Sequence, residues 1–120
     1  MEKHFVDYNQ ALALKELGFN EICFATFDSD KWFDIQDFGQ NYDTFPSHII
    51  AAPLKSQVFE WFRKQHKLKG FVEPVEYLDD TPETYMWVVY NECHSGAKQL
   101  TFEEAESACI DKLIELCHDK

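Results

Sequence analysis

The clearest hydrophobic pattern in the chain runs through residues 53–67, in the middle of the sequence. Its large apolar side chains recur at i, i+4, i+7 and i+8 and share one face of a helix: they are Leu54, Val58, Trp61 and Phe62. Pro53 fits the first helical position, where a missing N–H is not needed. Because two large aromatic side chains lie on one face, we expect this helix to pack on a sheet that the rest of the chain supplies.

A helix is also predicted near each end of the chain. The first, over residues 7–17, has Asp7 as its N-cap and Gln10 three residues on. Gly18 then takes the left-handed position that ends this helix. The last helix begins with the capping box Thr-Phe-Glu-Glu at residues 101–104 and continues with an apolar face.

Segments with strand character fill much of the remaining sequence. They are residues 22–28, 32–38, 71–78 and 84–93, with a short fifth strand at 98–100. In the second strand, Phe33 and Ile35 lie on a mostly apolar face. Trp32 and Phe38 fall on the opposite face, which is expected to be wet. Pro74 marks the third strand as an edge or a bulge, whereas the fourth strand is apolar on both faces and is expected at the centre of the sheet.

These elements predict an α+β fold in the order α-ββ-α-ββ(β)-α. We expect one antiparallel sheet of four to five strands, packed by three helices, with residues 1–120 forming a single domain. Residues 39–52 are rich in turn-forming residues and are predicted to be a loop that packs through its aromatic and aliphatic side chains. A loop of this length often has a function.

The chain is strongly acidic, with 22 acidic and 11 basic residues, a net charge of −11 at pH 7 and a pI of about 4.7. Binding to nucleic-acid phosphates needs a basic surface, so direct nucleic-acid binding is disfavoured. The charge favours either a basic partner or simple solubility. No apolar run approaches the ~20 residues of a membrane helix. Neither the N-terminal residues nor the four scattered cysteines indicate secretion, so we expect a cytoplasmic protein with reduced thiols.

Metal binding and catalysis are not predicted, although candidate ligands occur. Four aspartates crowd the first hairpin: Asp28, Asp30, Asp34 and Asp37. They do not fit the calcium-loop pattern, because Phe33 stands where that pattern needs glycine. The adjacent Cys-His pairs at 93–94 and 117–118 can each supply at most one zinc ligand. The sequence has only four glycines and contains no phosphate-binding loop, so no catalytic residue, metal or cofactor is predicted.

Two sets of side chains are candidates for binding a partner. The first combines aromatic residues on or near the mixed face and the long loop with acidic residues beside them: Trp32, Phe38, Tyr42, Phe45, Asp34 and Asp37. Aromatic anchors with a charged rim are typical of protein-binding surfaces, and the alternative is a loop folded over the core. The second set is basic and is a candidate anion site: Arg63, Lys64 and Lys67. The alternative for this set is that the cations complement the helix dipole at its C-terminal end.

Three segments carry helix signatures and are spread over most of the chain. They are residues 11–19, Ala52-Pro-Leu54 together with Trp61-Phe-Arg63, and residues 102–109. In combination they resemble a family of small bacteriophage and prophage proteins of unknown function. The resemblance implies a phage-borne gene acting inside a bacterial cell, and it brings no activity, ligand or catalytic residue.

The sequence therefore favours a small acidic protein-interaction module without enzymatic activity. The expected partner is a host or phage protein, which is basic if the acidic surface takes part in binding. The sharpest version of the hypothesis is an inhibitor of a host nucleic-acid enzyme or defence system. The alternative is a protein that binds a small ligand or nucleotide without catalysis. Pairing of copies through a sheet edge is also open.

Overall fold

A computed structural model describes residues 2–40, 48–75, 84–90, 94–95 and 101–118. After a short 3₁₀ turn at Glu2–His4, the elements are α1 (Tyr8–Glu16), β1 (Cys23–Phe27), β2 (Phe33–Gln40), β3 (Ile50–Ala51), α2 (Lys55–Gln65), β4 (Gly70–Val75), β5 (Thr84–Val89), β6 (His94–Ser95) and α3 (Phe102–His118). Helices and small antiparallel sheets occur together, which confirms the α+β class.

The described strands form two antiparallel sheets, with the orders β2-β1-β3 and β4-β5-β6. The expected single sheet of four to five strands is therefore corrected. One reason is β3, whose two residues pair with Thr26 and Phe27 of β1, although they lie in the segment predicted as a loop. A second reason is that local alternation identifies strands without indicating which strands pair. The short strand predicted at residues 98–100 lies outside the described residues.

Contacts divide the chain into two compact units, Met1–Val58 and Phe59–Lys120. The boundary falls within α2. The interpretation of residues 1–120 as a single domain stays a prediction.

In the first unit, α1 begins and ends as the sequence predicts. Asp7 Oδ1 accepts from the backbone N–H of Gln10 at 2.7 Å, and Gln10 Oε1 accepts from the backbone N–H of Asp7 at 3.0 Å. This pair is a complete capping box. Gly18 follows the helix with a φ of 95°, a conformation that costs glycine little. Both end signals are local in sequence, which is why they were readable without the fold.

The core of the first unit is built on β1. Cys23, Ala25 and Phe27 alternate along one face of that strand and are buried. The Phe27 ring lies 5.5 Å from the ring of Phe33 on β2 and 5.8 Å from the ring of Tyr8 on α1. These aromatic contacts fix the turn end of the hairpin formed by β1 and β2.

The central helix α2 begins at Lys55, two residues later than predicted. Leu54 forms an isolated antiparallel bridge with Phe5, and the carbonyl of Pro53 accepts from the backbone N–H of Val6 at 3.1 Å. Pro53 is therefore part of an extended segment and not the first helical residue. The helix ends before Lys67, whose φ of 58° is left-handed.

The predicted burial of the apolar face of α2 is confirmed for its central residues. Val58 and Phe62 are fully buried and Trp61 is nearly so, whereas Gln65 is exposed. The rings of Trp61 and Phe62 meet edge to face at 5.0 Å between centroids.

In the second unit, α3 packs on β4 and β5. The two elements approach each other closely at Gly70 of β4, because a Cβ there would lie 3.0 Å from both Cys109 Sγ and Leu113 Cδ1 of α3. Thr101 Oγ1 accepts from the backbone N–H of Glu104 at 3.1 Å, which confirms the predicted cap of this helix. None of the helices in the described ranges combines the length and the apolar character needed to cross a membrane.

The strand positions in the second sheet agree with the prediction. β5 is central and β4, which contains Pro74, is an edge. The expected covering of β5 on both faces is not found along its whole length, because Val89 is buried while Tyr85, Trp87 and Val88 are half-buried. Pairing of copies through a sheet edge stays a prediction.

Two buried thiols make the stability of the protein pH-dependent. Burial raises the pKa of Cys23 and of Cys109 from 9.0 to about 12. In the unfolded chain these thiols ionise near pH 9, so the free energy of unfolding is expected to fall as the pH rises from about 9 towards 12. Denaturant midpoints at pH 8 and pH 10.5 test this, with a Cys23→Ala/Cys109→Ala variant as the control. An equal pH dependence in both proteins contradicts the prediction.

Candidate functional site

The turn between β1 and β2 is held by a single carboxylate. Asp28 Oδ1 accepts from the backbone N–H groups of Asp30 at 2.9 Å and Trp32 at 3.0 Å. The backbone carbonyl of Asp28 also accepts from Lys31 N at 2.9 Å, and Asp28 N donates to Trp32 O at 3.2 Å. Asp28 therefore has a structural role in the turn, as expected for aspartate at such a position.

Lys31 completes this turn in an uncommon backbone conformation. Its φ of 66° is left-handed, where hairpins of this type usually place glycine. The Lys31 ammonium lies 5.1 Å from the centroid of the Tyr8 ring. This cation–π contact joins the tip of the hairpin to α1.

Trp32 follows immediately and points away from the core. Its side chain is 71% exposed, although tryptophan is highly buried on average. The next residue, Phe33, packs its ring 5.1 Å from that of Phe5. Successive side chains of an extended chain point to opposite sides, so Trp32 lies on the outer side together with Asp34, which is also exposed.

Phe24 of β1 is a second exposed aromatic residue of the hairpin. It is 45% exposed and lies two residues from Thr26, which pairs with Asp34 across the strands. The register is irregular between Cys23 and Ala25 and Thr26 is buried, so alternation does not assign Phe24 to the side of Trp32. We call the set Phe24, Asp30, Trp32 and Asp34 the hairpin patch.

The structure places only part of the predicted aromatic and acidic set. Trp32 and Asp34 are both exposed and lie two residues apart in extended chain, and their part in binding stays a prediction. Asp37 and Phe38 belong to β2, but the placement of their side chains lies outside the described part of the chain. The predicted residues of the long loop, Tyr42 and Phe45, also lie outside it.

Two features of the hairpin differ from the sequence interpretation. Phe24 was not predicted as a site residue, because both faces of residues 22–28 are apolar and alternation could not distinguish the wet one. Ile35 was expected on the buried face with Phe33, but it is 47% exposed. Ile35 pairs with Ala25 next to an irregularity in the strand register, which interrupts regular packing there.

The hairpin carries a local excess of negative charge. Residues 27–40 contain four aspartates and one lysine, and that lysine lies over Tyr8. Both Asp30 and Asp34 are exposed. A partner that covers Trp32 therefore meets carboxylates at the edge of the contact.

The basic set at the end of α2 is engaged by the helix itself. Lys64 Nζ lies 2.7 Å from Glu60 Oε1, and the hydrogen bond from this lysine lowers the pKa of Glu60. Lys67 Nζ donates to the carbonyl of Lys64 at 3.2 Å, and Arg63 is exposed. This arrangement is typical of cations that complement a helix C-terminus. Anion binding by Arg63, Lys64 and Lys67 stays a prediction.

Within the described ranges, no group of three or more histidine, cysteine, aspartate or glutamate side chains is arranged to hold a metal ion. Cys93, a member of one Cys-His pair, lies outside those ranges, while Cys117 is half-buried at the end of α3. The predicted absence of a metal site from the whole protein therefore stays a prediction.

Comparison with known proteins finds no family model, no curated protein and no solved structure that matches this chain significantly. The geometry of the chain's own residues is therefore the basis for the function proposed below.

The hydrogen bonds of the turn predict that the Asp28 side chain contributes measurably to stability. Its replacement by alanine removes the acceptor of two backbone N–H groups, and we expect a loss of about 0.5–1.5 kcal/mol in the free energy of unfolding. Asp30→Ala is the matched control, because that exposed side chain is on the same turn and its loss should change stability by less than ~0.5 kcal/mol. Urea denaturation measures both, and equal losses contradict the role given to Asp28.

Proposed function

We propose that the protein is an acidic protein-interaction module that binds a basic protein surface through the hairpin patch. The observation that carries the proposal is Trp32, whose side chain is 71% exposed on a turn held by hydrogen bonds. Tryptophan is the residue most typical of binding hot spots, where one large side chain enters a pocket of the partner. Phe24 of the adjacent strand is also exposed and adds apolar surface to the hairpin.

Charge supports a basic partner. The whole chain carries a net charge of −11, and the hairpin patch contributes the exposed carboxylates of Asp30 and Asp34. Complementary charge accelerates association and selects partners more than it adds affinity. A nucleic acid would instead bring its phosphates against these carboxylates, so the partner in this proposal is a protein.

The resemblance to phage and prophage proteins suggests where the partner occurs. We propose a host or phage protein in the bacterial cytoplasm. A host nucleic-acid enzyme or a defence protein fits this proposal well, because such proteins often carry the basic surface that DNA or RNA would occupy. Occupying that surface would inhibit the host protein.

Affinity capture tests the proposal with two matched variants. Immobilised wild-type protein, Trp32→Ala and Tyr90→Ala are exposed to bacterial lysate, and bound proteins are quantified by mass spectrometry. Tyr90 is a suitable control because its ring is 68% exposed and lies outside the hairpin patch. We expect at least one basic protein to be retained by the wild type and Tyr90→Ala, and to be lost from Trp32→Ala.

Salt dependence provides the second readout. Raising the salt from 50 to 300 mM should release the partner, because exposed charges are screened over a Debye length of roughly 6–14 Å in that range. Equal capture by all three proteins, or no retained protein, contradicts the proposal. If the amount of retained partner does not change with salt, the acidic residues around Trp32 play no part in binding.

A further inference from the structure

We propose that the hairpin patch recognises an arginine side chain in a basic segment of the partner, with the guanidinium plane stacked on the indole of Trp32. This inference rests on the proposed function and specifies the chemical group that the site takes.

The indole is placed to receive a planar cation. Trp32 is exposed on the side of β2 opposite to Phe33, so its ring is accessible from solvent. Tryptophan is the best cation–π acceptor among the side chains. The hairpin's own lysine is directed elsewhere, since Lys31 Nζ lies over the ring of Tyr8.

The exposed carboxylates select arginine over other groups. Asp34 lies on the same side of the strand as Trp32, and the rise of ~3.3 Å per residue separates the two by about 7 Å. A guanidinium can stack on a ring while its edge donates to a carboxylate. An ammonium is a compact, strongly hydrated charge that gains less from stacking. A purely apolar partner would take these charged, exposed carboxylates out of water, which is costly.

Two peptides separate arginine recognition from general attraction to an acidic protein. Octa-arginine amide and octa-lysine amide have the same number of positive charges. We expect both to bind the wild-type protein at low ionic strength, with octa-arginine binding roughly two- to fivefold more tightly. Isothermal titration calorimetry measures both dissociation constants. In Trp32→Ala the preference should disappear, whereas Asp30→Asn should weaken both peptides equally.

A local readout excludes effects at other sites. In a ¹⁵N-labelled protein the three tryptophans give separate indole N–H signals, and the Trp32 signal is assigned from its loss in Trp32→Ala. We expect octa-arginine to shift this signal more than those of Trp61, which is buried, and Trp87, which is half-buried. Equal affinities for the two peptides, a preference that survives in Trp32→Ala, an unshifted Trp32 signal, or no binding of either peptide each overturns the inference.

The two proposals fail in different ways. If a captured partner depends on Trp32 but keeps its affinity when the arginines of its binding segment are replaced by lysine, the proposed function stands and arginine recognition is wrong. If capture does not depend on Trp32, the proposed function is wrong whatever the peptides show.

Discussion

Replacing Trp32 with alanine is expected to weaken binding to the captured partner by about 30-fold or more. This factor corresponds to the ~2 kcal/mol that defines a hot spot. The reason is the surface area that binding can remove from water: a tryptophan can bury up to ~250 Å², and Trp32 is 71% exposed before binding. Biolayer interferometry with purified partner measures the change, which should lie mainly in the dissociation rate.

A conservative variant and a variant in the second unit show whether this loss belongs to the hairpin patch. Trp32→Phe retains an aromatic ring and should lose less affinity than Trp32→Ala. Tyr90→Ala removes a ring of similar exposure outside the patch and should bind like the wild type. Because Trp32 contributes little to the core, all three variants should unfold at nearly the same denaturant concentration as the wild type. A Trp32→Ala protein that binds normally would show that the partner uses another surface.

Replacing Phe62 with alanine is expected to lower the free energy of unfolding by about 3–5 kcal/mol. The side chain is fully buried and its ring meets that of Trp61 at 5.0 Å, so truncation removes apolar contacts and leaves a cavity. Such a loss is a large fraction of the stability of a typical domain. Urea denaturation followed by tryptophan fluorescence measures it, and Trp61 is a reporter next to the substituted site.

Phe102→Ala is the matched control for this variant, because it removes the same atoms at a position that is 42% exposed. The Phe102 ring meets that of Tyr85 at 5.5 Å, so we expect a loss of roughly 0.5–1.5 kcal/mol. Circular dichroism should be recorded beside fluorescence, since two contact units can unfold in separate steps. If Phe62→Ala is no less stable than Phe102→Ala, the side chains around position 62 must close the cavity at little cost in free energy.

The helices were predictable because their signals are local. The capping box of Asp7 with Gln10 and the cap of Thr101 each lie within four residues of sequence, and both are present in the structure. The start of α2 was placed two residues early for the opposite reason. Leu54 pairs with Phe5, and no pattern within residues 53–67 carries information on that distant contact.

The division of the strands between two sheets could not be predicted from alternation. β3 contains only Ile50 and Ala51, which is too short for a period of two to be recognised. The same limit applies to the hairpin patch. Exposure of Trp32 followed from the polar residues around it, whereas Phe24 lies in a strand that is apolar on both faces and gave no signal.

The conformation of Lys31 was not predictable either, because hairpins normally place glycine or asparagine where the backbone is left-handed. Lysine carries a conformational penalty there, and its contact with Tyr8 partly offsets it. The same contact holds the turn against α1, while hydrogen bonds to the Asp28 carboxylate hold the backbone of the turn itself. A turn held in this way loses little backbone freedom when a partner binds Trp32, so more of the contact energy remains as affinity. Replacing Lys31 with glycine would remove the conformational penalty of the backbone and also the contact with Tyr8. The variant would therefore fold more readily but bind its partner more weakly.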